Sequence, residues 1–128
     1  MILGIIAAMG EELEPLLNDM ELKGRNTIAN ITFNEGNLYG QDVVGVVCGI
    51  GKVNAAICSQ ILISTYKVDK IINIGVAGGV SNDLQVGDIV VGEKLVQHDF
   101  DITAFNHEKG YIPNLGGKFI DSCSELIE

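Results

Sequence analysis

The chain has 128 residues, 47% apolar but only 5% aromatic, enough for one modest domain with an aliphatic core. Its formal net charge is −9, from 17 acids against 8 bases, and Arg25 is the sole arginine. That balance excludes an electrostatic nucleic-acid surface, which needs clustered lysine and arginine, and a docking face for anionic membranes. A neutral or cationic small molecule suits it better.

Cys48, Cys58 and Cys123 form no CxxC pair and no Cys/His metal pattern. Scattered and odd in number, they fit reduced thiols better than a disulfide framework. The first apolar run breaks at Met9-Gly10-Glu11 and no stretch is long enough to span a bilayer. The expectation is a soluble cytoplasmic protein with no metal and no cofactor.

Ile2 to Ala7 is a continuous apolar run, the pattern of a strand buried on both faces. It leads into a helix whose Leu13, Leu16, Leu17 and Met20 form one apolar stripe. Pro15 is tolerable only near a helix start, which places that start near Glu11 or Glu12. Ile28 to Asn34 and Leu38 to Cys48 then read as a hairpin, with a turn around Gly36 and a bend at Gly40-Gln41-Asp42. Gly49-Ile50-Gly51-Lys52 opens a second helix, with Val53, Ile57 and Ile61 along its apolar face. Lys70 to Ile74 is another buried strand, followed by Gly75-Val76-Ala77-Gly78-Gly79.

Asp88 to Val96 is the longest extended run, and Gln97 to Gly117 a polar, loop-like stretch. Asp121 or Ser122 is placed to cap a final helix.

Five features could carry chemistry or a contact. Gly49-Ile50-Gly51 precedes a helix, as phosphate-cradling loops do. However, Val53 and Asn54 break both the dinucleotide fingerprint and the P-loop pattern, so a tight turn suffices. Gly75 to Gly79 has almost no side-chain volume, which suits either a sharp turn or close approach of a ligand to the backbone. Glu12 stands just beyond a strand's carboxyl end, where open α/β sheets bind ligands. It is a candidate general base or hydroxyl anchor, although acids in a first helical turn also simply complement the macrodipole, which on pattern alone suffices. His98 and Asp99 suggest a metal site or catalytic pair, but in a strand they would point to opposite faces, so a hydrogen-bonded structural histidine is the simpler reading. Phe100 and Phe105, in a polar stretch, suit a pocket wall or a subunit contact.

Taken together, the segments Gly4 to Glu12, Gly49 to Ala56, Ile72 to Gly79, Val86 to Val91 and His98 to Phe105 resemble the N-terminal part of the methylthioadenosine/S-adenosylhomocysteine nucleosidases, in the purine nucleoside phosphorylase superfamily. They occur in that family's order and near its spacing. The resemblance implies a three-layer α/β phosphorylase/hydrolase-like fold with a mixed central sheet. Residues 1–128 would form the N-terminal part of a single, apparently truncated nucleosidase domain.

It also implies hydrolysis of the N-glycosidic bond of 5′-methylthioadenosine and S-adenosylhomocysteine, with release of adenine in methionine salvage. Glu12 would activate the attacking water. Met9 would pack by the ribose, Ile50 would line the 5′-thioalkyl pocket, and Val76, Ala77 and Gly78 would lie beside the base and the water. Ile102, Phe105 and Pro113 would complete the thioalkyl pocket of a homodimer partner. Val76 stands where the family usually has serine, and Gly10 where it commonly has an acid. The family's later half, with its ribose-binding Met-Glu segment and its adenine-protonating aspartate, has no match here, so the 128-residue chain alone is expected to be nearly inactive. Two alternatives are a nucleoside phosphorylase, disfavoured by the single arginine, and a non-catalytic fragment that binds nucleoside or associates with other chains.

Overall fold

The computed structural model describes residues 1–127. Two compact units form, Met1–Gly78 and the chain from Gly79 onward. The first is built on a five-stranded sheet of order β2-β3-β4-β1-β5, with β1 at Ile2–Ala7, β2 at Glu21–Ile28, β3 at Ile31–Leu38, β4 at Gln41–Val47 and β5 at Lys70–Ile74. β1 runs parallel to both β4 and β5, whereas β2, β3 and β4 form an antiparallel meander, so the sheet is mixed as expected.

Helices α1 (Gly10–Asp19) and α2 (Lys52–Ser64) cover opposite faces. Alternation along β1 sends Ile5 and Ala7 to a cluster with Leu13 of α1, and Ile6 to one with Cys58 and Leu62 of α2. Each fully buried aliphatic side chain contributes roughly 1.5–3 kcal/mol, so β1 supports both layers at once. The result is the three-layer arrangement of helix, sheet and helix. Burial raises the Cys48 thiol and pushes that of Cys58 up to about 11, leaving both as inert core residues.

The hairpin reading needs correction. Gly36 makes no turn; it is buried inside β3, where an added Cβ would lie 2.5 Å from the Glu21 carbonyl oxygen and 2.8 Å from Met20 Cγ. Glycine is required there for close approach of β2, not for bending. The real turns are Ala29-Asn30 and Tyr39-Gly40, two-residue loops with positive φ at both positions (52° and 62°, 51° and 87°). Of the stripe expected on α2 only Ile61 packs against the core: Val53 and Ile57 are 74% and 44% exposed, while Cys58 and Leu62 are fully buried. Helix α1 begins at Gly10, near Glu11 and Glu12 as expected, with Pro15 inside it.

In the second unit, the extended run contracts to β6 (Lys94–Val96), paired antiparallel with β7 (Phe119–Asp121). Residues 88–93 join no ladder. Asp121 ends β7, and Ser122, just past it, donates its N–H to Glu93 O and its hydroxyl to Gly92 O. The residue before α3 (Ser124–Ile127) is Cys123, so neither of them stands at its N-cap position. Among the described residues no helix is long and apolar enough to cross a membrane.

The two faces of α2 give a direct check. Leu62→Ala should cost roughly 2–5 kcal/mol in a denaturant melt, as cavity formation in a packed core does. Val53→Ala should stay within about 0.5 kcal/mol. Equal losses would contradict the assigned core face.

Candidate active site

The parallel pairing puts three strand exits side by side. Ala7 is in register with Val47 of β4 and with Ile74 of β5, and the Cys48 N–H continues the pairing by donating to Ala7 O at 2.8 Å. β1 lies between β4, reached after α1, and β5, reached after α2, with the helices on opposite faces. This is the crevice geometry in which open α/β sheets hold ligands. Met9 and Glu12 follow β1, Ile50 follows β4, and Val76, Ala77 and Gly78 follow β5. The structure thus brings these six residues to one end of one sheet. Ile50, Val76, Ala77 and Gly78 are exposed, while Met9 and Glu12 are half-buried.

Glu12 is the only one of the six with an ionisable side chain, and its carboxylate is firmly held. Met9 is the N-cap of α1, which makes Glu12 the third helical residue, the position from which a glutamate reaches back to the cap. Oε2 accepts the N–H groups of Ala8 and Met9, each at 3.0 Å. Oε1 accepts the Val76 N–H at 3.1 Å, across 64 residues of sequence. These donors, Val76 foremost and then Met9 and Ala8, hold the carboxyl below the usual carboxylate range against partial desolvation. An ionised carboxylate offers about four acceptor positions. With two contacts on Oε2 and one on Oε1, one position on Oε1 is left for a water or hydroxyl.

Other candidates fare differently. His98 lies in an exposed turn rather than a strand, so the opposite-face geometry does not apply. Among the described residues no group of three His, Cys, Asp or Glu side chains could hold a metal ion. Arg25 is in β2; its Nε donates to Asn34 Oδ1 at 3.0 Å, and β3 and β4 separate it from β1.

In the second unit, Ile102 precedes a 3₁₀ turn at Thr103–Phe105, and Pro113 opens another at Pro113–Leu115. Asp101 Oδ1 fixes the first turn by accepting the Thr103 N–H at 3.0 Å and the Thr103 hydroxyl at 2.8 Å. Phe105, at its end, is 75% exposed. Sequence reasoning took Gly75 only as part of the glycine-rich loop; the three atoms nearest to a Cβ placed there all belong to the Glu12 carboxylate.

The sequence profile of the phosphorylase superfamily matches residues 2–128. The chain belongs to that superfamily. It is 43% identical over 113 residues to the 5′-methylthioadenosine/S-adenosylhomocysteine nucleosidase of Bacillus thuringiensis (strain Al Hakam), a match covering 88% of this chain and 49% of that protein. Among solved structures, the nucleosidase of the same name from Colwellia psychrerythraea 34H, in complex with adenine, superposes with a TM-score of 0.93 at 41% identity. That match covers 99% of this chain and 52% of the other. The futalosine hydrolase of Helicobacter pylori strain 26695 superposes with a TM-score of 0.91 at 31% identity, over 98% of this chain and 54% of its own. The chain therefore spans about half the length of the curated relatives it matches.

The lowered Glu12 carboxyl links the site to stability. Its contribution is complete above the unfolded-state value, near about 4.3, and is lost as pH falls through the lower folded-state value. Urea midpoints of the chain and of its Glu12→Gln variant should therefore differ at pH 7 and converge on acidification. A constant gap down to pH 2 would contradict the assignment.

Proposed function

We propose that the whole protein hydrolyses the N-glycosidic bond of 5′-methylthioadenosine and S-adenosylhomocysteine and releases adenine. The observation that carries this reading is the Glu12 carboxylate, ionised and held at the strand ends with one acceptor position to spare. Cleavage of such a bond leaves positive charge on the ribosyl carbon and needs a water delivered to it. A fixed carboxylate serves both ends: it accepts a proton from the water and stabilises the cationic centre electrostatically. Three backbone donors lower its basicity, yet they also fix its position. That trade is acceptable when the electrophile is cationic and the water needs little activation.

The remaining roles follow the same frame. Met9 packs by the ribose and Ile50 lines the thioalkyl pocket. Val76, Ala77 and Gly78 present main-chain groups to the base and the water; with valine at position 76 no hydroxyl is available there, so recognition falls to the backbone. We read Ile102, Phe105 and Pro113 as the elements that complete a partner's thioalkyl pocket in a homodimer, which gives the exposure of Phe105 a use. The superfamily match runs through both units, which supports reading 1–128 as part of one nucleosidase domain. The free cysteines suit a cytoplasmic setting, and the proposed substrates suit methionine salvage. The engagement of Arg25 with Asn34 counts against a phosphorylase, which needs cations on its phosphate.

Adenine release by the whole protein tests this. Methylthioadenosine should yield adenine and free 5-methylthioribose at a rate indifferent to phosphate. Glu12→Gln should lower kcat at least ~100-fold, the scale of a lost general base. A sugar 1-phosphate product, or full activity in Glu12→Gln, would overturn the reading.

A further inference from the structure

We propose that Gly75 is a positioning residue for the Glu12 carboxylate: the absence of a side chain at position 75 is what lets that carboxylate sit between the ends of β1 and β5. The inference rests on Glu12 as the water-activating base and adds the residue that fixes where this base stands.

A Cβ built on Gly75 would lie 3.0 Å from Glu12 Oε1, 3.4 Å from its Cδ and 3.6 Å from Oε2. The three nearest heavy atoms are thus one functional group. Backbone conformation does not account for glycine here, because Gly75 is not among the positive-φ residues. A contact with the tip of a glutamate is normally relieved by a small rotation of the side chain. Here rotation is resisted: Oε2 is held by Ala8 and Met9, and Oε1 by Val76, the residue next to Gly75. Moving Oε1 away from a new methyl group lengthens the Val76 contact, and moving the whole carboxylate loosens the pair on Oε2. Either way the remaining acceptor position on Oε1 is displaced. Misplacement of a reacting group by about 1 Å is enough to cost about 10²-fold in rate.

The test uses Gly75→Ala alone and combined with Glu12→Ala, with two readouts. Thermal unfolding of the four proteins gives the coupling between the sites. Gly75→Ala should lower Tm by several degrees when Glu12 is present. It should leave Tm unchanged or slightly raised in the Glu12→Ala background, where the methyl group has room and alanine reduces unfolded-state freedom. Titration of the Glu12 side-chain carboxyl by carbon NMR gives the second readout, which a merely structural effect would not move: its midpoint should shift upward in Gly75→Ala as the Val76 contact weakens. Equal Tm losses in both backgrounds, or an unmoved Glu12 titration, would overturn the proposal. Should Gly75→Ala not fold, the double variant must still fold and melt within a few degrees of Glu12→Ala; its failure also overturns the proposal. Neither readout involves turnover, so a refuted base role for Glu12 and a refuted role for Gly75 give separate results.

Discussion

One carboxylate, that of Glu12, joins the exit of β1 to the loop after β5, reaching Val76 across 64 residues of sequence. The Glu12 contacts to Ala8 and Met9 are local and fix how the chain leaves β1 and enters α1. Its contact to Val76 is not local and ties that junction to the loop after β5. Hydrogen bonds to an ionised acceptor are stronger than neutral ones, and backbone donors lose no side-chain entropy on forming them. The loop from Gly75 to Gly78 has almost no side chains to pack, so this contact is its specific anchor in the first unit.

The sheet makes the arrangement possible. With β1 parallel to both β4 and β5 and in register through Ala7, Val47 and Ile74, all three exits open on one edge. Helices α1 and α2 then pack on opposite faces of the sheet. The helix-dipole role of Glu12 and its proposed catalytic role are then one geometry. The third helical position, which lets the side chain reach back to the cap, also delivers its carboxylate to the strand mouths. Glycine at 75 is the counterpart on the facing loop.

Much of this was legible in the residues because local signals and the fold agreed. The apolar run at Ile2–Ala7 is the buried strand it resembles, and Leu13, Leu16, Leu17 and Met20 are the inward stripe of α1. Lys70–Ile74 is a strand too, but it lies at the sheet edge, half-buried and with Asn73 exposed, rather than buried as expected. The polar strand Glu21–Ile28 was not legible: it lies at the sheet edge, carries a bulge between Leu22 and Gly24, and shows no apolar alternation. Gly36 misled because glycine marks both turns and close approaches, and only the position of β2 distinguishes them. On α2 the apolar residues lie all round the helix, so periodicity could not pick Cys58 and Leu62 over Val53 and Ile57. The partner of Gly75 could not be read either, since no local pattern links positions 12 and 75.

The most direct measurement is amide hydrogen exchange at Ala8, Met9 and Val76 in the native chain and in a Glu12→Ala variant. The central claim is that one carboxylate protects all three, so their exchange should accelerate together while Ile5 and Ile6, inside β1, keep their protection. Unchanged exchange at Val76 in the variant would contradict it.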